Sequence, residues 1–306
     1  MVAGVGGSAT GGDYLAALVS TTSAIPVHVC RSLRLPAFVD AGTAVICCSH
    51  SGDTEETLAC YDQARARGAT LYAIRSGGEL DRRARAQDIP GAVLSNHVPP
   101  RAALGQALGA LLRAGEALRL FEWVDVRSAG LAHRVLVDQR LGPSVPTYDN
   151  PAKTLAGALR GRLVLVLAAE HLVAAADRFK NQLAENGKAF AATLSLPEAA
   201  HNTVVGLENA LAHSDHLSLV TLESTWHHDP RLHHRFDLIT TMFDAAGIPV
   251  HRIALAGESR LADLLEATAW ADFVSCYVGL LNGFDPTPIS PIAQIRAALA
   301  DRADRA

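Results

Sequence analysis

Short β-branched runs that stay apolar on successive positions recur along this chain, each followed by a longer stretch with apolar residues at helical spacing. "PVHVC" (26–30), "TAVICCS" (43–49) and "TLYAIRS" (70–76) form one series, separated by segments such as "TEETLACYDQARARG". "RLVLVLAA" (162–169), "FAATLSL" (190–196), "LSLVTLES" (217–224) and "IPVHRIAL" (248–255) form a second, with helical patterns near 171–186, 229–246 and 257–281. A run without polar alternation is a strand covered on both faces, and strands separated by helices run parallel. The expected class is therefore α/β, with two successive three-layer α/β/α domains, each built on a mainly parallel sheet. The helical pattern at 101–121 and the polar stretch from 123, with Pro143, Pro146 and Pro151 toward its end, connect the two series. The boundary is expected near residue 125, giving domains 1–125 and 126–306.

At 306 residues and 49% hydrophobic content, the chain can bury a full core in each domain. Its 27 basic and 31 acidic residues are spread along the sequence for a net charge of −4, which gives no footprint for nucleic acid or an anionic membrane. Any phosphate site must be local. The longest apolar run, "LVLVLAA" (163–169), is far shorter than the roughly 20 residues of a spanning helix, and no basic-plus-apolar leader opens the sequence. A cytoplasmic protein is expected. The five cysteines are odd in number and lack CxxC or Cys/His spacing. Cys47 and Cys48 lie inside an apolar strand, so the cysteines read as small buried hydrophobes rather than disulfides or ligands.

In a parallel sheet, the loops at the carboxyl ends of the strands line the ligand crevice, and helix N-termini there offer free N–H groups. "SHSGDTEET" (49–57) sits at such a point: Ser49, Ser51 and Thr54 can donate to phosphate oxygens and Gly52 lets the backbone come close. Asp53 through Glu56 read as the first helical turn, where acids suit the dipole. The opening "MVAGVGGSATGGD" reads as the end of another parallel strand, either very short or lacking a preceding segment, with Gly6, Gly7 and Ser8 at the equivalent place. Ser51 or Asp53 alone would serve as a helix cap, but two such loops on adjacent strand ends exceed what capping requires. Gly4, Gly6 and Gly7 superficially resemble a dinucleotide fingerprint, yet the third glycine is misplaced and no acid ends the second strand.

"GGSATGGD", "SHSGDTEET", "RSGGEL", "PRAALG", "KNQLAENGK", "PEAAHNTVVG" and "DPTPI" occur in the order seen in the bifunctional phosphoglucose/phosphomannose isomerases of the sugar isomerase (SIS) superfamily, which the chain resembles over nearly its whole length. The SxSGxTxET element by itself marks a sugar-phosphate-binding SIS domain; the later motifs narrow the resemblance to that family. It implies two SIS-type domains acting on glucose 6-phosphate, mannose 6-phosphate and fructose 6-phosphate, with the phosphate cradled by Gly7, Ser8, Ser49, Ser51 and Thr54. It also implies that Glu185 shuttles a proton between C1 and C2 through a cis-enediolate. Arg101 would stabilise that intermediate, and His201 would open the pyranose ring. In the family this histidine comes from the neighbouring subunit, which implies a homodimer with shared sites, and the reaction needs no metal or cofactor. Thr287 is a candidate for the small threonine that leaves space for rotation about C2–C3.

The residue types suit these roles: a neutral imidazole exchanges protons near neutral pH, and an arginine's fixed charge suits an enediolate. Taken singly, Glu185 reads as a solvated helix residue, His201 as a cap or core histidine and Arg101 as a surface charge. Their joint occurrence in ordered motifs favours the site. Lys180, Asn186 and Asn202 are neighbours that would orient the main groups. Three positions depart from the family pattern. Arg296, in "PIAQIRAAL", stands where a lysine is usual and can hold an oxygen without exchanging a proton. His50 and Asp53 replace a common tyrosine and asparagine, the latter placing a carboxylate beside the phosphate. These departures keep open a noncatalytic SIS protein that binds sugar phosphates. An amino-sugar phosphate isomerase would share the phosphate loops but not "ENGK" and "HNTVVG" together. The histidines of "WHHDPRLHHR" lack HxxxH spacing and read as an exposed loop leading into the next helix rather than a metal site.

Overall fold

A computed structural model describes residues 1–121, 123–212 and 214–303, with the side chains of 210–212, 296 and 300–303 outside the description. Two compact units divide the chain, Met1–Val126 and Arg127–Ala306.

In the first unit, strands β1 (Val2–Ala3), β2 (Val29–Cys30), β3 (Ala44–Ser49), β4 (Thr70–Arg75) and β5 (Gly91–Val93) form one sheet in the order β2-β1-β3-β4-β5. Every pairing is parallel. Two residues suffice for β1, because Val2 pairs with Val29 on one side and with Ile46 on the other. Helices α1 (Gly7–Val19), α2 (Glu55–Ala66) and α3 (Gly78–Ala86) pack against the sheet, and α4 (Leu104–Ala117) packs on α1. Tyr61, Leu80, Val45, Cys47 and Leu71 form one buried layer. Where α1 approaches α4, a Cβ on Gly11 would lie 2.8 Å from Leu111 Cδ1, so the end of that side chain would have to shift.

The second unit holds β6 (Leu163–Ala169), β7 (Ala191–Leu196), β8 (Leu217–Ser224) and β9 (Val250–Leu255), all parallel, in the order β7-β6-β8-β9. Its helices are α5 (Val126–Leu136), α6 (Pro151–Leu159), α7 (Val173–Glu185), α8 (Pro230–Ala245), α9 (Arg260–Leu281) and α10 (Ser290–Ala303). Phe236, Ile239 and Phe243 of α8 pack with Leu167 and Leu219. Among the described residues, α9 is one helix long and apolar enough to cross a membrane by length and composition, yet half of that stretch is buried and the helix packs against α6 and α7.

The polar stretch expected to be a plain connection contains α5 and a wide helical turn, Val137–Leu141. Buried Asn150 organises its end: Nδ2 donates to Leu141 O and Gly142 O at 3.0 Å each, and Oδ1 accepts from Lys153 N at 3.0 Å, capping α6. Cys30, Cys47, Cys48 and Cys60 are buried thiols. The Sγ atoms of Cys30 and Cys60 stand 4.0 Å apart, well beyond the roughly 2.05 Å of a disulfide.

Candidate active site

The strand order β2-β1-β3-β4-β5 reverses direction between β1 and β3, and in an open parallel sheet that switch point is where ligands bind, outside the carboxyl ends of the strands. Both loops singled out in the sequence lie there. α1 follows β1 with Gly6 at its N-cap, and α2 follows β3 with Thr54 at its N-cap. Gly6 has no side chain and that of Thr54 makes no hydrogen bond to the helix end, so two neighbouring helices begin without a cap side chain on their N–H groups. That is anion-binding chemistry.

The hydroxyls differ in their commitments. Ser49, 1% exposed, accepts from Gly52 N at 3.0 Å and sits 2.9 Å from Thr54 Oγ1. Ser51 is exposed and, among the described residues, accepts a long 3.3 Å bond from Asp53 N. Ser8 Oγ accepts from His50 N at 3.1 Å, tying the two loops together and leaving its O–H as a donor. Helix α2 starts at Glu55, so Asp53 lies before the first turn rather than in it. There Asp53 Oδ1 accepts from Glu79 N at 2.8 Å, a bond that commits part of this carboxylate to the start of α3. Gly52 is demanded by the neighbouring loop: at φ +81° its Cβ would fall 1.9 Å from Gly77 O. Arg101 is only 7% exposed, in a tight turn at Pro100–Ala102. A Cβ on Gly7 would lie 3.1 Å from Pro100 O, so the glycine lets this turn approach the start of α1.

Within the second unit, Glu185 is the last residue of α7 and is half-buried. The helix is anchored to α9: Arg178 Nη2 and Gln182 Nε2 both donate to Asp272 Oδ1 at 2.6 Å, and Asn186 Nδ2 donates to Ser275 Oγ at 3.0 Å. Lys180 pairs with Asp177 on the same helix. His201 is exposed on the turn that follows β7, its N–H bonded to Glu198 O, and Asn202 braces that turn through Glu198 Oε1 at 2.6 Å. Thr287 is exposed, with its N–H donated to Asp285 Oδ1 at 2.8 Å. Arg296 falls in α10, and its side chain lies outside the described residues. The sequence reading missed Lys188, whose Nζ donates to Glu185 O, to Pro286 O at 3.2 Å and to Pro288 O at 2.8 Å. Its position in "ENGK", just past a helix end, was the available signal.

The switch point of the second sheet, between β6 and β8, is filled by the protein's own polar groups. His228 is not on an exposed loop but 6% exposed, with Nδ1 accepting from Ser224 N at 3.2 Å and Nε2 lying 3.3 Å from Ala169 O. The first bond assigns the ring proton to Nε2. His171 Nε2 is 3.2 Å from Asp263 Oδ2, an oxygen that also accepts from Ser224 Oγ. Glu170, His171 and His228 bring three potential donor atoms within 4.8 Å of one another; both nitrogens of His228 are engaged in hydrogen bonds, whereas His171 Nδ1 is buried without a partner among the described residues. Burial, with the neighbouring His171 imidazole second, pushes the His228 pKa down to about 4.

A doubly wound α/β architecture with hydroxyl-lined helix N-termini at its switch point defines a phosphate-binding class of protein. Residues 148–299 match the bacterial phospho-glucose isomerase C-terminal SIS domain. A bifunctional phosphoglucose/phosphomannose isomerase of Caldicellulosiruptor bescii is 35% identical over 99% of this chain and 90% of its own length, and one of Aquifex aeolicus is 29% identical over 98% and 90%. The solved tagatose-6-phosphate ketose/aldose isomerase of Escherichia coli superposes with a TM-score of 0.71 at 15% identity, over 93% of this chain and 82% of that one, and shares the fold. The chain belongs to the bifunctional phosphoglucose/phosphomannose isomerase family.

Proposed function

We propose that this protein is a cytoplasmic, cofactor-free isomerase that interconverts glucose 6-phosphate or mannose 6-phosphate with fructose 6-phosphate, working as a homodimer. The observation that carries the reading is the pair of uncapped helix N-termini with Ser8, Ser49, Ser51 and Thr54 around them, a site for a phosphate monoester. Gly7 and these hydroxyls hold the phosphate. His201, contributed by the second copy, opens the ring. The Glu185 carboxylate takes the proton from C2 of the open aldose, the resulting cis-enediolate transfers the hydroxyl proton from O2 to O1, and Glu185 returns its proton to C1. Arg101 and Arg296 supply fixed charge to the oxyanion. Thr287 leaves room for both C2 epimers.

Glu185→Gln tests the central role. It is expected to abolish turnover while fructose 6-phosphate still raises the melting temperature, since a ligand that binds the native state alone stabilises it. Unchanged turnover would remove Glu185 from the mechanism.

A further inference from the structure

Lys188, the last residue of "ENGK", has no role in the reaction just described, and its contacts are specific. The chain turns left-handed there, at φ +52°, an uncommon conformation for a side-chain-bearing residue that persists where surrounding contacts enforce it. The half-buried side chain folds back so that its ammonium meets Glu185 O, the terminal carbonyl of α7. Such carbonyls have no partner within their helix and attract cations. The same nitrogen bonds Pro286 O at 3.2 Å and Pro288 O at 2.8 Å, the carbonyls on either side of Thr287. Three N–H donors meet three carbonyls.

We propose that Lys188 is a positioning residue that fixes Thr287 relative to Glu185 and thereby sets the partition between the two C2 epimers. The inference rests on the isomerase reading. When the ketose reacts toward aldose, a base in one place delivers its proton to either face of C2, according to rotation about C2–C3. The space at Thr287 measured from Glu185 therefore sets the relative barriers to glucose and mannose 6-phosphate. Lys188 holds the carbonyl of Glu185 and the two carbonyls flanking Thr287 through one charged group, and it touches no reacting atom in this scheme.

The test compares initial rates of glucose 6-phosphate and mannose 6-phosphate formation from fructose 6-phosphate for the wild type, Lys188→Met and Lys188→Arg. Product formation by the wild type decides the isomerase reading independently of the variants. Lys188→Met is expected to lower total kcat about tenfold, leave KM within about threefold because the phosphate loops belong to the other unit, and shift the product ratio at least about threefold. Lys188→Arg keeps the charge but spreads its donors over a planar fork, so it should retain more turnover and still shift the ratio by about twofold. If the methionine variant does not fold, the arginine variant decides. If the wild type makes one epimer alone, appearance of the other in a variant is the expected shift. A ratio equal to that of the wild type in a folded variant overturns the proposal, whatever happens to kcat, because a purely structural role lowers both rates together.

Discussion

Ser49 Oγ lies 2.9 Å from Thr54 Oγ1 and accepts the N–H of Gly52, so the deepest hydroxyl of the candidate phosphate loop is already bonded within the protein. Ser51, two residues on, is exposed. The pair therefore separates structural from ligand-directed contributions. Ser49→Ala should cost about 1–2 kcal/mol of stability, from a buried N–H and hydroxyl left without their partner, and should also raise KM. Ser51→Ala should move stability by less than about 0.5 kcal/mol while raising KM for fructose 6-phosphate up to about tenfold. Urea unfolding alongside steady-state kinetics distinguishes them; equal stability losses in both would refute the division.

Gly52 and Gly105 make a second contrast. A Cβ at Gly52 would strike Gly77 O at 1.9 Å from a left-handed backbone, whereas a Cβ at Gly105 in α4 meets nothing within 4 Å. Gly52→Ala should destabilise the fold by at least about 2 kcal/mol and weaken sugar-phosphate binding. Gly105→Ala should stabilise it by about 0.5–1 kcal/mol, since alanine loses less entropy in a helix. Thermal unfolding checks both signs.

His228 gives a pH dependence. Its folded pKa is lowered to about 4, while the unfolded chain takes up the proton near the ordinary 6.5. Between these values the unfolded state binds more protons, so the contribution is fully present above pH 6.5 and declines as pH falls toward 4, by up to about 1.4 kcal/mol per unit. In His228→Asn the amide oxygen can accept the Ser224 N–H and nothing titrates. The variant's melting temperature should fall less steeply than the wild type's between pH 6.5 and 4.5; parallel curves would contradict the assignment. The remaining titratable groups, His251 among them, are present in both proteins.

What was legible follows from how local each signal is. The runs at 44–49 and 163–169 are almost wholly apolar and the run at 217–224 keeps leucine and valine at half its positions, and each is a largely buried strand in its sheet. β5 gave no such signal: it is a three-residue edge strand whose opening glycine is required because a Cβ at Gly91 would meet Ala73 O at 1.9 Å. Helix α5 hid in a polar stretch because Leu131 and Val135 remain exposed and only Ala129 of the helix is buried. The burial of His228 depends on long-range closure. Its neighbours His171 and Asp263 come from segments 92 residues apart, and a cluster of histidines among charged residues carries no local sign of that. Asn150 is likewise visible as a cap only once Leu141 and Gly142 have folded over it. For the site, the hydroxyl loops were legible because they sit where apolar runs stop. The clamp made by Lys188 was not, since its partners Pro286 and Pro288 lie about a hundred residues further along.

The most direct test of the account is to incubate the purified protein with fructose 6-phosphate and quantify glucose 6-phosphate and mannose 6-phosphate separately over time. The account predicts that both aldoses form from the start of the reaction, without added metal or cofactor. Thermal stabilisation by fructose 6-phosphate with neither product formed would contradict it and leave a protein that binds the sugar phosphate without turning it over.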